Sequence, residues 1–198
     1  MSIIIKHNAA PKTLFKKIKE VVFDEYFTWC FLQNSAYSNY DYFDSNDVNG
    51  FSFYHMVLVD RNKYVSPYSS TIEAFVLATL DYCNIDFDYI ERIRIGCITA
   101  KERQLVNKPH VDYYDPHKVA LLYFNTCDGD THLYNERFDP NKKDDPLKQF
   151  LDVEDEFTLL DKSTPEENKL VVFDGLHYHS SSSPTNVSRR IVMNINFN

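Results

Sequence analysis

An α+β domain, with N-terminal helices packed on one sheet of a sandwich or jelly roll, is the fold the sequence predicts. Three observations carry it. Helical spacing is confined to the first 88 residues, short alternating runs begin near Tyr89, and Asp-Gly pairs (Asp128-Gly129, Asp174-Gly175) punctuate those runs. The 198 residues, 43% apolar and 15% aromatic, suit one domain with a sizeable core. The expected division is 1–88 as mainly helical support and 89–198 as the jelly-roll core.

The first helix opens at Pro11, and Leu14, Ile18, Val21 and Val22 recur at helical spacing through Tyr26, with Lys12, Lys16, Lys17 and Lys19 left to water. A second is signalled by Ser70 and Glu73, spaced as a capping box, ahead of the stripe Ile72, Phe75, Thr79, Leu80 and Cys83. In IERIRIGCIT, Ile93, Ile95 and Cys97 alternate with Arg92, Arg94 and Gly96, as a half-buried strand would. Further strands are expected at 118–125, 131–134, 156–160, 169–174 and 190–197. Between 139 and 167 stand ten acidic residues against four lysines, broken by Pro140, Pro146 and Pro165. That stretch is expected to be a mobile flap or insertion over the site mouth, adding little to the core and favouring a neutral or basic substrate.

A net charge of −8 argues against a general nucleic-acid or anionic-membrane binder, because both need surplus Lys and Arg. Cys30, Cys83, Cys97 and Cys127 form no C-x-x-C pair, which fits a reducing cytosol better than a disulfide framework. No apolar run approaches the roughly 18 residues of a membrane span.

Chemistry gathers at Pro109-His110-Val111-Asp112. On an extended segment, residues two apart share a face, so the His110 imidazole and the Asp112 carboxylate can reach one metal ion. A third ligand is offered by FDGLHYHSSSSP, where either His177 or His179 follows the turn at Gly175. Two His and one carboxylate leave coordination positions open, the arrangement that binds Fe(II) for oxygen chemistry. His117 and His132 read as exposed or neighbouring, while His7 and His55 have no partner pattern. Gly129 reads as a hairpin turn, and Asn125 and Asn194 as edge residues able to hydrogen-bond near a ligand.

In order along the chain, PHVD, VALLYFN, DGDTHLY, NKLVVFDG, His179 and RRIVMNINF resemble the 2-oxoglutarate/Fe(II)-dependent oxygenase superfamily, especially its prolyl-4-hydroxylase-like branch with small phage and bacterial members. Trp29 in Phe27-Thr28-Trp29 is similar to a Trp that phage-type members carry after the first helix. The resemblance implies a double-stranded β-helix (jelly roll), with His110, Asp112 and His179 as iron ligands. It implies that Arg190 pairs with the distal carboxylate of 2-oxoglutarate and that Tyr123 joins it; Thr131 resembles the family's threonine after the Gly-rich turn and reads as structural. Arg suits that task because its planar fork binds a carboxylate bidentately. Arg189 is the competing choice, since adjacent strand residues face opposite ways.

Implied cofactors are Fe(II), the co-substrate 2-oxoglutarate and O2, with ascorbate as a further candidate. The implied reaction is hydroxylation of a C–H bond in a prolyl residue or another peptide, amino-acid or small-molecule substrate, in bacterial or phage-infected cytoplasm. Asp112 is a carboxylate where related halogenases carry a small residue, so halogenation is disfavoured. Two rival readings are a non-catalytic jelly-roll binding or structural protein, and a zinc hydrolase using the same His/Asp/His set.

Overall fold

The computed structural model describes residues 3–33, 50–153 and 156–198. Its strands form two antiparallel sheets. The larger contains β1 (Ile4–Lys6), β2 (Cys30–Leu32), β3 (Ser52–Val59), β4 (Lys63–Tyr64), β5 (Ile90–Thr99), β6 (Lys118–Tyr123), β9 (Leu170–Asp174) and β11 (Arg189–Phe197). Its order is β1-β9-β6-β11-β5-β3-β2, with β4 on the side of β3. The smaller has β7 (Thr131–Arg137) between β8 (Leu159–Ser163) and β10 (His177–Ser181). Helices α1 (Lys12–Val22) and α2 (Ser69–Tyr82) cover one face of the large sheet, and the short α3 (Pro146–Leu151) lies over the small one.

Strand periodicity decides what each face of the large sheet meets. From β5 the residues Ile93, Ile95 and Cys97, and from β11 Ile191, Met193, Ile195 and Phe197, enter the core shared with Phe15 and Ile18 of α1 and Ile72, Phe75 and Leu80 of α2. The alternate residues of β6 and β9 (Val119, Leu121, Tyr123, Val171 and Phe173) pack between the sheets with Val192 and Leu133. The central strands thus read as continuous apolar runs because both their faces are covered.

Several expectations need correction. Helix α1 stops at Val22 rather than running to Tyr26: Phe23 leaves helical geometry, and the Asp24 carboxylate takes the Tyr26 amide in a tight turn. Pro11 precedes that helix as its cap, outside the first turn. The Ser70/Glu73 capping box does not form. The helix instead begins at Ser69, whose hydroxyl bonds the Val57 and Ser66 carbonyls, while Glu73 accepts from the Tyr64 hydroxyl.

Strands also begin well before Tyr89, because β3 pairs with β5 along most of its length. Neither Asp-Gly pair makes a hairpin, since β6 and β9 end in the large sheet while β7 and β10 begin in the small one. Gly129 serves a close approach: a Cβ there would lie 2.8 Å from the Ser182 carbonyl oxygen and 3.1 Å from Arg190 Cδ. At Gly175 a Cβ would collide with the His117 ring, 2.1 Å from Nε2.

The acidic 139–167 stretch does not cover the site mouth. Phe150 of α3 is buried with Phe138, Leu176 and Tyr178, Phe157 packs beside them, and β8 completes the small sheet. The apolar residues hidden among its charges anchor it to the sheet's outer surface. Glu154 and Asp155 lie outside the described residues.

Candidate active site

The outward-looking charges of β5 open onto a cavity. Facing the small sheet, Arg92 and Arg94 stand opposite Asn196 and Asn194 of β11, followed by Gly96 opposite Val192 and Ile98 opposite Arg190. These rows form the floor of an open cavity. Its lining includes His110, Asp112, His179, Arg94, Arg190 and Thr131.

His110 and His179 are brought together by the backbone. Each amide donates to the other residue's carbonyl at 2.9 Å, so the two form a hydrogen-bonded antiparallel pair with side chains on one face. Their rings stand 4.6 Å apart, and Asp112 Oδ2 lies 3.7 Å from His179 Nε2. One ligand atom from each of the three residues falls within 4.8 Å of the others. A β-bulge between His177 and His179 separates the two histidines that the sequence left as alternatives. His177 meets the Tyr134 carbonyl at 3.0 Å and lines a different groove with His117 and Asp174.

Electrostatics hold the group ready for a cation. Burial pushes the His110 pKa down to about 4, aided by the neighbouring His179, and burial likewise lowers His179, so both rings are neutral at pH 7. Burial alone would raise Asp112, yet the Arg92 guanidinium 2.6 Å away and the two histidines keep it well below the usual carboxylate range. Asn194 and Asn196 each donate to Asp112 Oδ2 at 2.9 Å, and Arg92 is oriented in turn by Asn196 Oδ1.

Metal fit is tested at His179. Its Nδ1 faces the His177 carbonyl at 3.2 Å, which assigns the proton to Nδ1 and leaves the Nε2 lone pair outward. Nε2 is buried and has no hydrogen-bond partner among the described residues. A buried acceptor without a partner, with a carboxylate and a second imidazole around it, matches a divalent-metal donor set.

At another part of the cavity, Arg190 is 2% exposed and donates to the Thr131 hydroxyl at 2.7 Å, while the Tyr123 hydroxyl reaches the same oxygen at 2.9 Å. Tyr123 itself does not line the cavity; Thr131 stands between it and the open space. Arg189 points the other way, exposed, with its guanidinium over the Phe23 ring.

Remaining histidines sit elsewhere: His7 pairs with Glu166, His55 is buried between the Thr28 carbonyl and the Ser66 hydroxyl, His117 bonds the Asp115 carbonyl, and His132 is half-buried on β7. Asn125 clamps β11, accepting from Ile191 N and donating to the Arg189 carbonyl. The serine run is also structural. Ser181 and Ser183 bind Asn107 and the Leu105 amide, and Ser182 binds the Asp130 carbonyl, so the run fastens the loop that leads to His110. The four cysteines are unpaired, with Cys30 exposed and the others buried.

Arg92, Arg94 and Asn196 were absent from the sequence-based site. Their signal was nevertheless present, as polar residues recurring at every second position of two strands.

No protein-family model and no curated protein sequence matches the chain. Solved structures do. An oxidoreductase of the 2OG-Fe(II) oxygenase family from Burkholderia pseudomallei aligns over 98% of this chain and 84% of its own, at TM-score 0.64 and 13% identity. A prolyl hydroxylase from Trichoplax adhaerens, in complex with a hypoxia inducible factor peptide, aligns over 98% and 83% at TM-score 0.55 and 14% identity. A Pseudomonas putida prolyl-4-hydroxylase aligns over 98% and 91% at TM-score 0.55 and 11% identity. Sheets, site geometry and these likenesses together give the chain the fold of the 2-oxoglutarate/Fe(II) oxygenases, prolyl hydroxylases among them.

Proposed function

We propose that the whole chain, residues 1–198, is a single double-stranded β-helix (jelly-roll) domain and a 2-oxoglutarate- and Fe(II)-dependent dioxygenase that hydroxylates a C–H bond. The observation that carries this reading is the convergence of His110, Asp112 and the His179 Nε2, unpartnered among the described residues, in a cavity that also holds the buried guanidinium of Arg190. His110, Asp112 and His179 would hold the iron, and Arg190 the distal carboxylate of 2-oxoglutarate. Bound there, iron with the co-substrate and O2 supplies the oxidising chemistry, with succinate and CO2 as co-products.

The chain's own residues do the positioning. The His177 carbonyl fixes the His179 tautomer, and Arg92, Asn194 and Asn196 fix the Asp112 carboxylate and keep it ionised. Thr131, backed by Tyr123, holds one edge of the Arg190 fork; the rest of its donors remain for a carboxylate. Gly96 leaves the floor open between Arg94 and Ile98, and Leu121 and Val192 make that region apolar. As substrate we take an amino-acid side chain, prolyl or other, in a peptide or a free amino acid.

The test is turnover of 2-oxoglutarate alone. Protein reconstituted with Fe(II) should release succinate under air, and Arg190→Met should cut this release at subsaturating co-substrate while still binding metal. Zinc-supported hydrolysis without succinate release would overturn the proposal.

A further inference from the structure

Three guanidinium groups stand at this site, and two are engaged. Arg92 is ion-paired with Asp112, and Arg190 donates to Thr131. Arg94 is different. It lines the cavity beside His110 and Asp112, yet no described residue accepts a hydrogen bond from its guanidinium or forms an ion pair with it. The Tyr54 ring lies 5.0 Å from its Cζ. Burial, and then the like charge of Arg92, hold its pKa below the ordinary arginine value.

Arg94 is half-buried, and Asp112, already paired with Arg92, is an opposite charge acting on it only at longer range, so its donors are left for a ligand. The charge balance of the site agrees. Among the described residues Asp112 is the one carboxylate lining the cavity, against Arg94 and Arg190 in the lining and Arg92 paired to Asp112, and both ligand histidines are neutral. A divalent iron adds two positive charges and 2-oxoglutarate removes two, so the excess persists in the loaded enzyme. Arg190 is four residues along β11 from Asn194, the partner of Arg94 in register, which separates the two backbone positions by about 13 Å along the strands at the usual rise. The two arginines therefore enter the cavity from different points along its floor, and Arg190 alone is joined to Thr131.

We propose that Arg94 is the anchor for a carboxylate on the oxidised substrate, so that the enzyme's substrates are carboxylate-bearing small molecules, such as free or N-acylated amino acids. The inference rests on the oxygenase reading and narrows its substrate class. It also replaces the preference for a neutral or basic substrate, which had been drawn from the acidic stretch that lies away from the cavity.

The test is calorimetric titration, under argon, of the protein loaded with Fe(II) and saturating 2-oxoglutarate. The probes are N-acetylglycine, N-acetylproline and N-acetylaspartate, each against its carboxamide. At least one acid should bind, with its amide roughly tenfold weaker or worse, the scale of a charge-assisted hydrogen bond. Arg94→Gln should erase that preference and Arg94→Lys retain part of it, with 2-oxoglutarate affinity within about twofold of wild type in both. Equal binding of acids and amides, binding of neither, or loss of 2-oxoglutarate affinity in Arg94→Gln would overturn the role of Arg94. The 2-oxoglutarate titration done first separates the two claims: no binding there contradicts the oxygenase reading itself, whereas normal binding without acid preference contradicts the anchor alone.

Discussion

The two faces of β5 and β11 are made from the same strands and behave as opposites. Toward the helices stand Ile93, Ile95, Met193 and Ile195, all 0% exposed and held by apolar contact alone. Toward the small sheet stand Arg92, Arg94, Arg190, Asn194 and Asn196, among which Arg190 and Asn196 are as buried as a core residue. The first face is stabilised by leaving water, while the second is charged and lines an open cavity beneath the small sheet. Alternating polarity along a strand therefore does not by itself mark a solvent face; a second sheet can cover the polar side and turn it into a site.

Substitutions on the two faces should separate binding from stability. The largest effect is expected from His179→Ala, which should abolish tight metal binding by equilibrium dialysis with Co(II). The substitution removes Nε2, which makes no hydrogen bond among the described residues, but also the Nδ1 contact to the His177 carbonyl and the ring packed on Phe173, so a moderate loss of metal-free stability accompanies it. Metal affinity equal to wild type would contradict the ligand assignment.

Ile195→Ala should do the reverse, costing about 2–5 kcal/mol in urea denaturation with metal affinity unaltered, because it opens a void under α1 and α2. Arg92→Gln belongs between these cases. It loosens the Asp112 carboxylate without removing it, so metal affinity should fall about 10–100-fold. An unchanged affinity would show that Asn194 and Asn196 orient the carboxylate by themselves.

The pH response is smaller. His110 has its folded pKa lowered from 6.5 to about 4, so its neutral form is favoured by folding. The metal-free protein should be at full stability above pH 6.5 and lose at most about 3 kcal/mol as the pH falls from 6.5 to 4. In His110→Gln that slope should flatten. A wild-type curve already flat across the window would contradict the buried, neutral assignment.

Much of this was legible in the sequence for identifiable reasons. Both helices and the central strands announced themselves through spacing, since their apolar residues meet one continuous core. The i, i+2 spacing of His110 and Asp112 likewise indicated a shared face. What escaped was set by tertiary contact. The choice between His177 and His179 depended on a bulge, and that between Arg189 and Arg190 on which side of β11 faces the small sheet. Strand β3 carries little alternation, and β10 is a run of His, Tyr and Ser with no apolar stripe. The acidic stretch was misjudged because its few apolar residues, Phe150 and Phe157 above all, outweigh its charge in deciding where it packs.

On the proposed reading one face holds iron at His110, Asp112 and His179 and 2-oxoglutarate at Arg190. Anaerobic addition of 2-oxoglutarate to the Fe(II)-loaded protein tests it most directly, read as a visible charge-transfer band. The wild type should give a saturable band, Arg190→Met a band requiring about 10–100-fold more 2-oxoglutarate, in line with losing a charge-assisted contact, and His179→Ala none. A wild-type protein that binds Fe(II) but gives no band, or an Arg190→Met titration superimposable on the wild type, would contradict it.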